Sequence, residues 1–140
     1  MDQAEYWYAV ASVLLFLKMF ATSAYQGFHR IGKGVYKTPE DAALVGREAA
    51  KEELPQVQRA AKAWLNDLEN IPIFLALGVA YVWVGAAPGL AVWLFVSFTA
   101  ARYFHTLFYL LGIQPWRTVA YTLGVLCMFI MSVLIVGKLL

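Results

Sequence analysis

Hydrophobic positions fall into four long runs that are separated by polar or turn-forming stretches. Each run reaches or approaches the roughly 20 residues that a helix needs to cross a hydrocarbon layer about 30 Å thick. The second run is short by itself, but residues 55–70 are expected to extend it as a helix into water. The pattern therefore predicts four transmembrane helices, at about residues 6–31, 55–86, 89–112 and 115–139.

The segments between the runs complete the predicted architecture. Residues 32–54 are polar and form one long loop, whereas residues 86–89 (Ala-Ala-Pro-Gly) and 112–115 are compact turns. Short turns join neighbouring helices that run antiparallel. We therefore expect an all-α integral membrane protein in which residues 1–140 form a single four-helix bundle domain.

Composition excludes several other classes of protein. Hydrophobic residues make up 61% of the chain and charged residues 14%, whereas a soluble domain carries about 25% charge. A disordered chain needs the opposite balance, and the net charge of +2 is too small to indicate a nucleic-acid partner. The single cysteine, Cys127, excludes a disulfide framework, and the only histidines, His29 and His105, lie on different predicted helices, so no metal site is expected.

The distribution of Lys and Arg predicts the orientation in the membrane. Seven of them lie between Arg30 and Lys62, while the turn at 86–89 holds none. By the positive-inside rule the long loop faces the cytoplasm and both termini lie on the opposite side. The first run lacks the basic start of a signal peptide, and we expect it to remain as a helix of the mature protein.

Polar residues inside the predicted helices gather in the cytoplasmic half. A charge deep in a bilayer costs roughly 2.5–3.5 kcal/mol even on a lenient scale, so such residues are rare unless they face a wet cavity or a partner. Spacings of three and four residues place those of each helix on one face. We expect them to line a polar pocket that opens to the cytoplasm. The residues are Arg30, Arg59, Lys62, Asn66, Glu69, Arg102, His105, Tyr109, Arg117, Thr118 and Tyr121.

The charge of this pocket indicates its class of ligand. Arginine and lysine outnumber its carboxylates, Glu69 and the nearby Asp67, and the arginine fork binds carboxylates with two hydrogen bonds. A small peptide-like anion with several charges, such as glutathione, fits that balance. Lys18, in the middle of the first helix, is instead expected to be a structural partner of Asp67 or Glu69.

Four motifs, in this order along the chain, resemble those of one family. They are Thr-Pro-Glu-Asp-Ala (38–42), Leu-Asn-Asp-Leu-Glu-Asn (65–70), Arg-Tyr-Phe-His-Thr (102–106) and Gln-Pro-Trp-Arg (114–117). The family is the MAPEG superfamily, the membrane-associated proteins of eicosanoid and glutathione metabolism. The resemblance implies a four-helix protomer, a homotrimer, and glutathione bound between adjacent subunits near the cytoplasmic face.

The resemblance also implies roles for individual residues. Arg102 would be a partner of Glu69 or of the ligand. Asp41 and Arg117 stand where the prostaglandin E synthase branch has essential residues, although Asp41 could equally cap a short helix. Leu65 and Thr118 depart from that branch, and the 65–70 motif looks more like the microsomal glutathione transferase branch. The implied glutathione contacts are Arg30, Lys62, Asn66, Glu69, His105, Tyr109, Arg117, Thr118 and Tyr121.

The start of the fourth helix is the expected catalytic region. Pro115 sits where proline opens a helix, so Arg117 and Thr118 fall in the first turn, where unpaired backbone N–H groups and the helix dipole favour an anion. There they would stabilise the thiolate form of glutathione, with Arg117 as the principal catalytic residue. We expect a glutathione transferase or peroxidase in the bacterial inner membrane or the endoplasmic reticulum. Lipophilic electrophiles would approach from the bilayer between the first and fourth helices.

Three alternatives remain open at this point. The first is a glutathione-dependent endoperoxide isomerase of the prostaglandin E synthase kind. The second is a non-catalytic membrane module that only binds partners, against which Arg117 and Tyr121 argue. The third is a small transporter, but almost nothing ionisable lines the exterior half, so a continuous polar path is missing.

Overall fold

Five α-helices and no strand make up residues 2–140, the part of the chain that the computed structural model describes. Four of the helices are long and apolar enough to cross a membrane, which confirms the predicted all-α, four-span architecture. The fifth, α2, is a short helix within the predicted loop. The bounds are α1 Gln3–Lys33, α2 Pro39–Leu44, α3 Pro55–Trp83, α4 Pro88–Leu111 and α5 Trp116–Leu139.

The ends of α1 follow from local capping chemistry. The backbone N–H of Glu5 donates to the Asp2 carboxylate, and the backbone N–H of Asp2 donates to the Glu5 carboxylate, both at 2.8 Å. This reciprocal capping starts the helix at Gln3, before the hydrophobic run begins. Gly34 ends it with a positive φ of 60°, a conformation that glycine adopts without strain.

The two central helices, α3 and α4, hold the bundle together. Both pack against α1 on one side and against α5 on the other, whereas α1 and α5 do not contact each other. The rings of Phe74 and Phe98 stack at 3.7 Å between α3 and α4. Because α1 and α5 flank opposite sides of the bundle, the expected approach route between the first and fourth membrane helices stays a prediction that needs two chains.

Candidate functional site

A buried ionic cluster joins α1, α3 and α4. One Asp67 carboxylate oxygen accepts from Arg102 Nε at 3.1 Å and from Arg102 Nη2 at 2.6 Å, and the other accepts from Lys18 Nζ. The three residues are between 0% and 4% exposed. Lys18 thus has one of its two expected partners. Arg102 pairs with Asp67 and not with Glu69, so of its two expected partners, Glu69 and the ligand, only the ligand stays a prediction.

The register of α3 explains this choice of carboxylate. Asp67 shares the buried face of α3 with Ala60, Ala63 and Phe74. Glu69 lies two residues further on, about 200° around the helix axis, and is exposed. A cation on α4 that faces α3 therefore meets Asp67.

A chain of polar and aromatic contacts leads from the cluster to α5. Arg102 Nη2 donates to Asn66 Oδ1 at 2.7 Å and lies 3.4 Å from His105 Nδ1. The His105 ring lies 5.7 Å from the ring of Tyr109 and 6.2 Å from that of Tyr121. The Arg117 guanidinium stands 4.6 Å above the Tyr109 ring, a favourable cation–π arrangement.

The first turn of α5 presents the side chains of Arg117 and Thr118, as expected from Pro115. When the Gln114 amide oxygen faces Arg117, it accepts from Nε at 3.0 Å and from Nη2 at 2.5 Å, and the amide nitrogen donates to Thr118 at 3.1 Å. The backbone N–H of Arg117 donates to the Ile113 carbonyl at 3.3 Å. The Arg117 N–H is therefore not one of the unpaired N–H groups expected in this first turn, and the guanidinium is the group that Arg117 offers to a ligand.

The partners of the arginines distinguish Arg117 from Arg30 and Arg102. Arg102 is neutralised by Asp67, and Arg30 is held by the Glu53 carboxylate at 2.9 and 2.6 Å. Within residues 2–140, no carboxylate lies within ion-pair distance of Arg117. Its charge, on a half-buried side chain at the otherwise exposed start of α5, is therefore available to an anion.

The other predicted residues lie further from this chain of contacts. Glu69 accepts a long hydrogen bond from Asn66, at 3.4 Å, and Lys62 is exposed on α3 one turn earlier. Within a single chain, Arg30 does not join the other predicted site residues, because its side chain pairs with Glu53 in the loop.

Asp41 is likewise separate from the polar network. It is exposed in the first turn of α2, where its carboxylate accepts from the Thr38 hydroxyl at 2.5 Å. Thr38, rather than Asp41, is the N-cap residue of α2. The expectation that Asp41 caps this helix is therefore wrong.

Two residues of the network were not among the predicted site residues. Asp67 was expected only as a carboxylate near the pocket and as one of two possible partners of Lys18. Its spacing of four and seven residues from Ala63 and Ala60 is compatible with a buried face but does not by itself exclude Glu69. Gln114 stands three residues before Arg117, but its side-chain contacts depend on the shape of the turn, which the sequence does not indicate.

Comparisons with known proteins agree with this arrangement of helices and motifs. The model of the MAPEG family matches residues 8–137. Human microsomal glutathione S-transferase 1 is 35% identical over 88% of this chain and 83% of its own. The mouse protein of that name is 40% identical over 81% of this chain and 76% of its own, and human prostaglandin E synthase is 36% identical over 84% and 78%. The chain thus belongs to the MAPEG family.

Proposed function

We propose that this protein is a glutathione-dependent membrane transferase, with peroxidase capacity, that acts on lipophilic electrophiles. The observation that carries the proposal is Arg117, a half-buried cation without a carboxylate partner among the described residues, at the start of α5. The names of the relatives, glutathione S-transferase above all, support the same chemistry. Glutathione supplies a thiol whose thiolate form attacks the electrophile.

The available side chains fit the charges of glutathione, which carries two carboxylates, an ammonium and a thiol. Arg30 can hold a carboxylate through two nitrogens, as it does with Glu53, which a glutathione carboxylate would have to displace. Lys62 offers an exposed cation, and the exposed Glu69 suits the ammonium. Asn66 lies beside Glu69, and His105, Tyr109 and Tyr121 supply polar edges between Arg102 and Arg117.

Arg117 would then act on the ionisation of the thiol. A free thiol has a pKa of about 8.5, so only a small fraction is thiolate at pH 7. A hydrogen bond to a charged group is worth about 1.5–3 kcal/mol, which corresponds to a pKa lowered by about one to two units. Gln114 and Tyr109 hold the guanidinium fork in place, and the Thr118 hydroxyl adds a donor.

We infer that a second chain completes the site. Lys62 and Glu69 lie on an exposed, polar face of α3, where the helix is expected to extend into water, so both are open to a glutathione molecule shared with another subunit. The flanks of α1 and α5, which do not meet within the chain, could meet between chains. We therefore infer a homotrimer with glutathione between subunits near the cytoplasmic face, and an electrophile that enters from the bilayer between α1 and α5 of different subunits.

Thiolate absorbance of bound glutathione tests the role of Arg117. Arg117→Ala should abolish most of the thiolate signal and lower the conjugation rate by about tenfold or more, because the stabilising charge is lost. Arg117→Lys keeps the positive charge but loses the forked guanidinium, and it should retain part of the thiolate signal. Lys51→Ala removes an exposed cation of the loop before α3, outside the proposed site, and should leave the signal unchanged. An unchanged thiolate signal in Arg117→Ala would refute the assignment.

A second candidate is a glutathione-dependent endoperoxide isomerase. It is favoured by the 36% identity with human prostaglandin E synthase. An isomerase of this kind would need Asp41, which does not lie near Arg117 within a single folded chain. Turnover of a prostaglandin endoperoxide, measured beside conjugation of a chromogenic aryl halide, separates the two activities. A chain that binds no glutathione would instead be a non-catalytic module.

A further inference from the structure

Two adjoining cavities lie between α1 and α4. The larger, about 410 Å³, is lined almost entirely by apolar side chains that include Trp7, Leu14 and Val96. The smaller, about 250 Å³, is lined by Lys18 and Thr106 among others. Tyr103 lines both. We call the larger one the chain groove and the smaller one the head cavity.

Thr106 leaves a buried hydroxyl at the head cavity without a partner. The residue is 8% exposed, and its Oγ1 has no hydrogen-bond partner within residues 2–140. Two other threonines in these helices donate to the carbonyl four residues earlier, Thr22 to Lys18 at 2.9 Å and Thr99 to Phe95 at 2.8 Å. A buried hydroxyl without a partner is costly. Oγ1 has almost no accessible surface of its own, so a rotation about the Cα–Cβ bond of Thr106 would aim it into the head cavity, where an oxygen acceptor would be stabilised.

The buried charges next to the head cavity have a positive excess. Lys18 and Arg102 share the single carboxylate of Asp67, which leaves one net positive charge among these three residues. Asp67 takes only one of the three ammonium hydrogens of Lys18. A monoanion in the head cavity would therefore balance the cluster and complete its hydrogen bonds.

We propose that the α1–α4 cavities bind a single-chain fatty acid anion. Its carboxylate would lie in the head cavity, where Lys18 and Thr106 donate to it, and its acyl chain would pass Tyr103 into the chain groove. Lys18 and Trp7 are eleven residues apart on α1, about 16 Å along the helix axis, which an extended long acyl chain spans. A two-chain phospholipid would not fit its headgroup into the small, mostly apolar head cavity.

This site is separate from the proposed glutathione site. It is lined by α1 and α4, whereas Arg117 lies on α5, which does not contact α1 within the chain. The inference therefore does not rest on the proposed function. Either one can fail while the other stands.

Photolabelling of the full-length protein in nanodiscs tests the proposal. The probe is palmitate with a diazirine on its chain, and the labelled peptides are identified by mass spectrometry. We expect saturable labelling of α1 and α4. Excess palmitate should suppress this labelling, whereas methyl palmitate and hexadecyltrimethylammonium should not. Suppression by all three amphiphiles alike would show a non-specific apolar surface and overturn the proposal.

Two pairs of variants locate the site. Ala21→Trp fills the head cavity from an exposed position and should abolish saturable labelling, whereas Ala24→Trp, an exposed alanine on the same helix, should not. Thr106→Val removes only the free hydroxyl and should weaken palmitate binding about threefold to tenfold. Thr99→Val, whose hydroxyl is satisfied by its own helix, should have little effect.

Two results would contradict the proposed fatty acid site. Unchanged binding in both Ala21→Trp and Thr106→Val would overturn the proposal. So would a disulfide cross-link between two chains formed through Thr106→Cys, since it would show that a second copy of the chain covers this face.

Discussion

At the scale of single residues, Asp67 is the counterion of two buried cations, and its loss leaves both Lys18 and Arg102 without a partner. Removing one partner of a buried ion pair costs about 3–5 kcal/mol, because an uncompensated charge stays buried. We expect Asp67→Asn to lower the free energy of unfolding by about that amount. Reversible unfolding in mixed detergent micelles measures it.

Matched variants distinguish this charge effect from a general loss of polarity. Glu69→Gln neutralises a carboxylate that is two residues away and exposed, so its effect should stay within about 0.5 kcal/mol. Lys18→Met leaves the Arg102–Asp67 pair intact and should cost less than Asp67→Asn. Equal stability of Asp67→Asn and Glu69→Gln would contradict the role of Asp67.

Sequence reasoning located the polar residues better than it paired them. Helical spacing placed Arg102, His105 and Tyr109 on one face, and the contacts of His105 with Tyr109 and Arg102 follow that spacing. The choice of Asp67 over Glu69 depends on which face of α3 meets α4. That rotation is a property of the packed bundle, and hydrophobic spacing alone left both carboxylates possible.

At the scale of helices, Gly78 sets how closely α1 and α3 pack. A Cβ at this position would lie 2.6 Å from Tyr8 Cε2 and 3.3 Å from Phe95 Cε1. Overpacking of this kind costs about 1–3 kcal/mol, so we expect Gly78→Ala to lower the free energy of unfolding by that amount. Gly137→Ala, where nothing lies within 4 Å, should be neutral or slightly stabilising. A stable Gly78→Ala protein would show that the helices separate at little cost.

The sequence predicts where the membrane helices lie, but it does not predict which helices contact each other. Apolar runs of about 20 residues directly predict membrane spans, and all four appear among residues 2–140. The six residues of α2 are too few for periodicity to indicate a helix. The separation of α1 from α5 is a matter of topology, which apolar runs alone do not indicate.

At the scale of the whole molecule, orientation and assembly are linked through the loop between α1 and α3. This loop and the adjoining helix ends carry seven Lys and Arg residues, so it should face the cytoplasm. In a Cys127→Ala background, Lys51→Cys should react with a membrane-impermeant maleimide only in inverted vesicles. Gly89→Cys, in the turn region at the other end of the bundle, should react only in right-side-out ones.

The same labelled protein also gives the number of subunits. If three chains assemble around shared sites, native mass spectrometry of the Lys51→Cys protein should show a complex of three chains carrying three labels. Because each chain contributes one such loop, a trimer with fewer labels would mean that some loops are covered. A monomer would contradict the shared site, whereas labelling of Lys51→Cys from the exterior would contradict its cytoplasmic orientation.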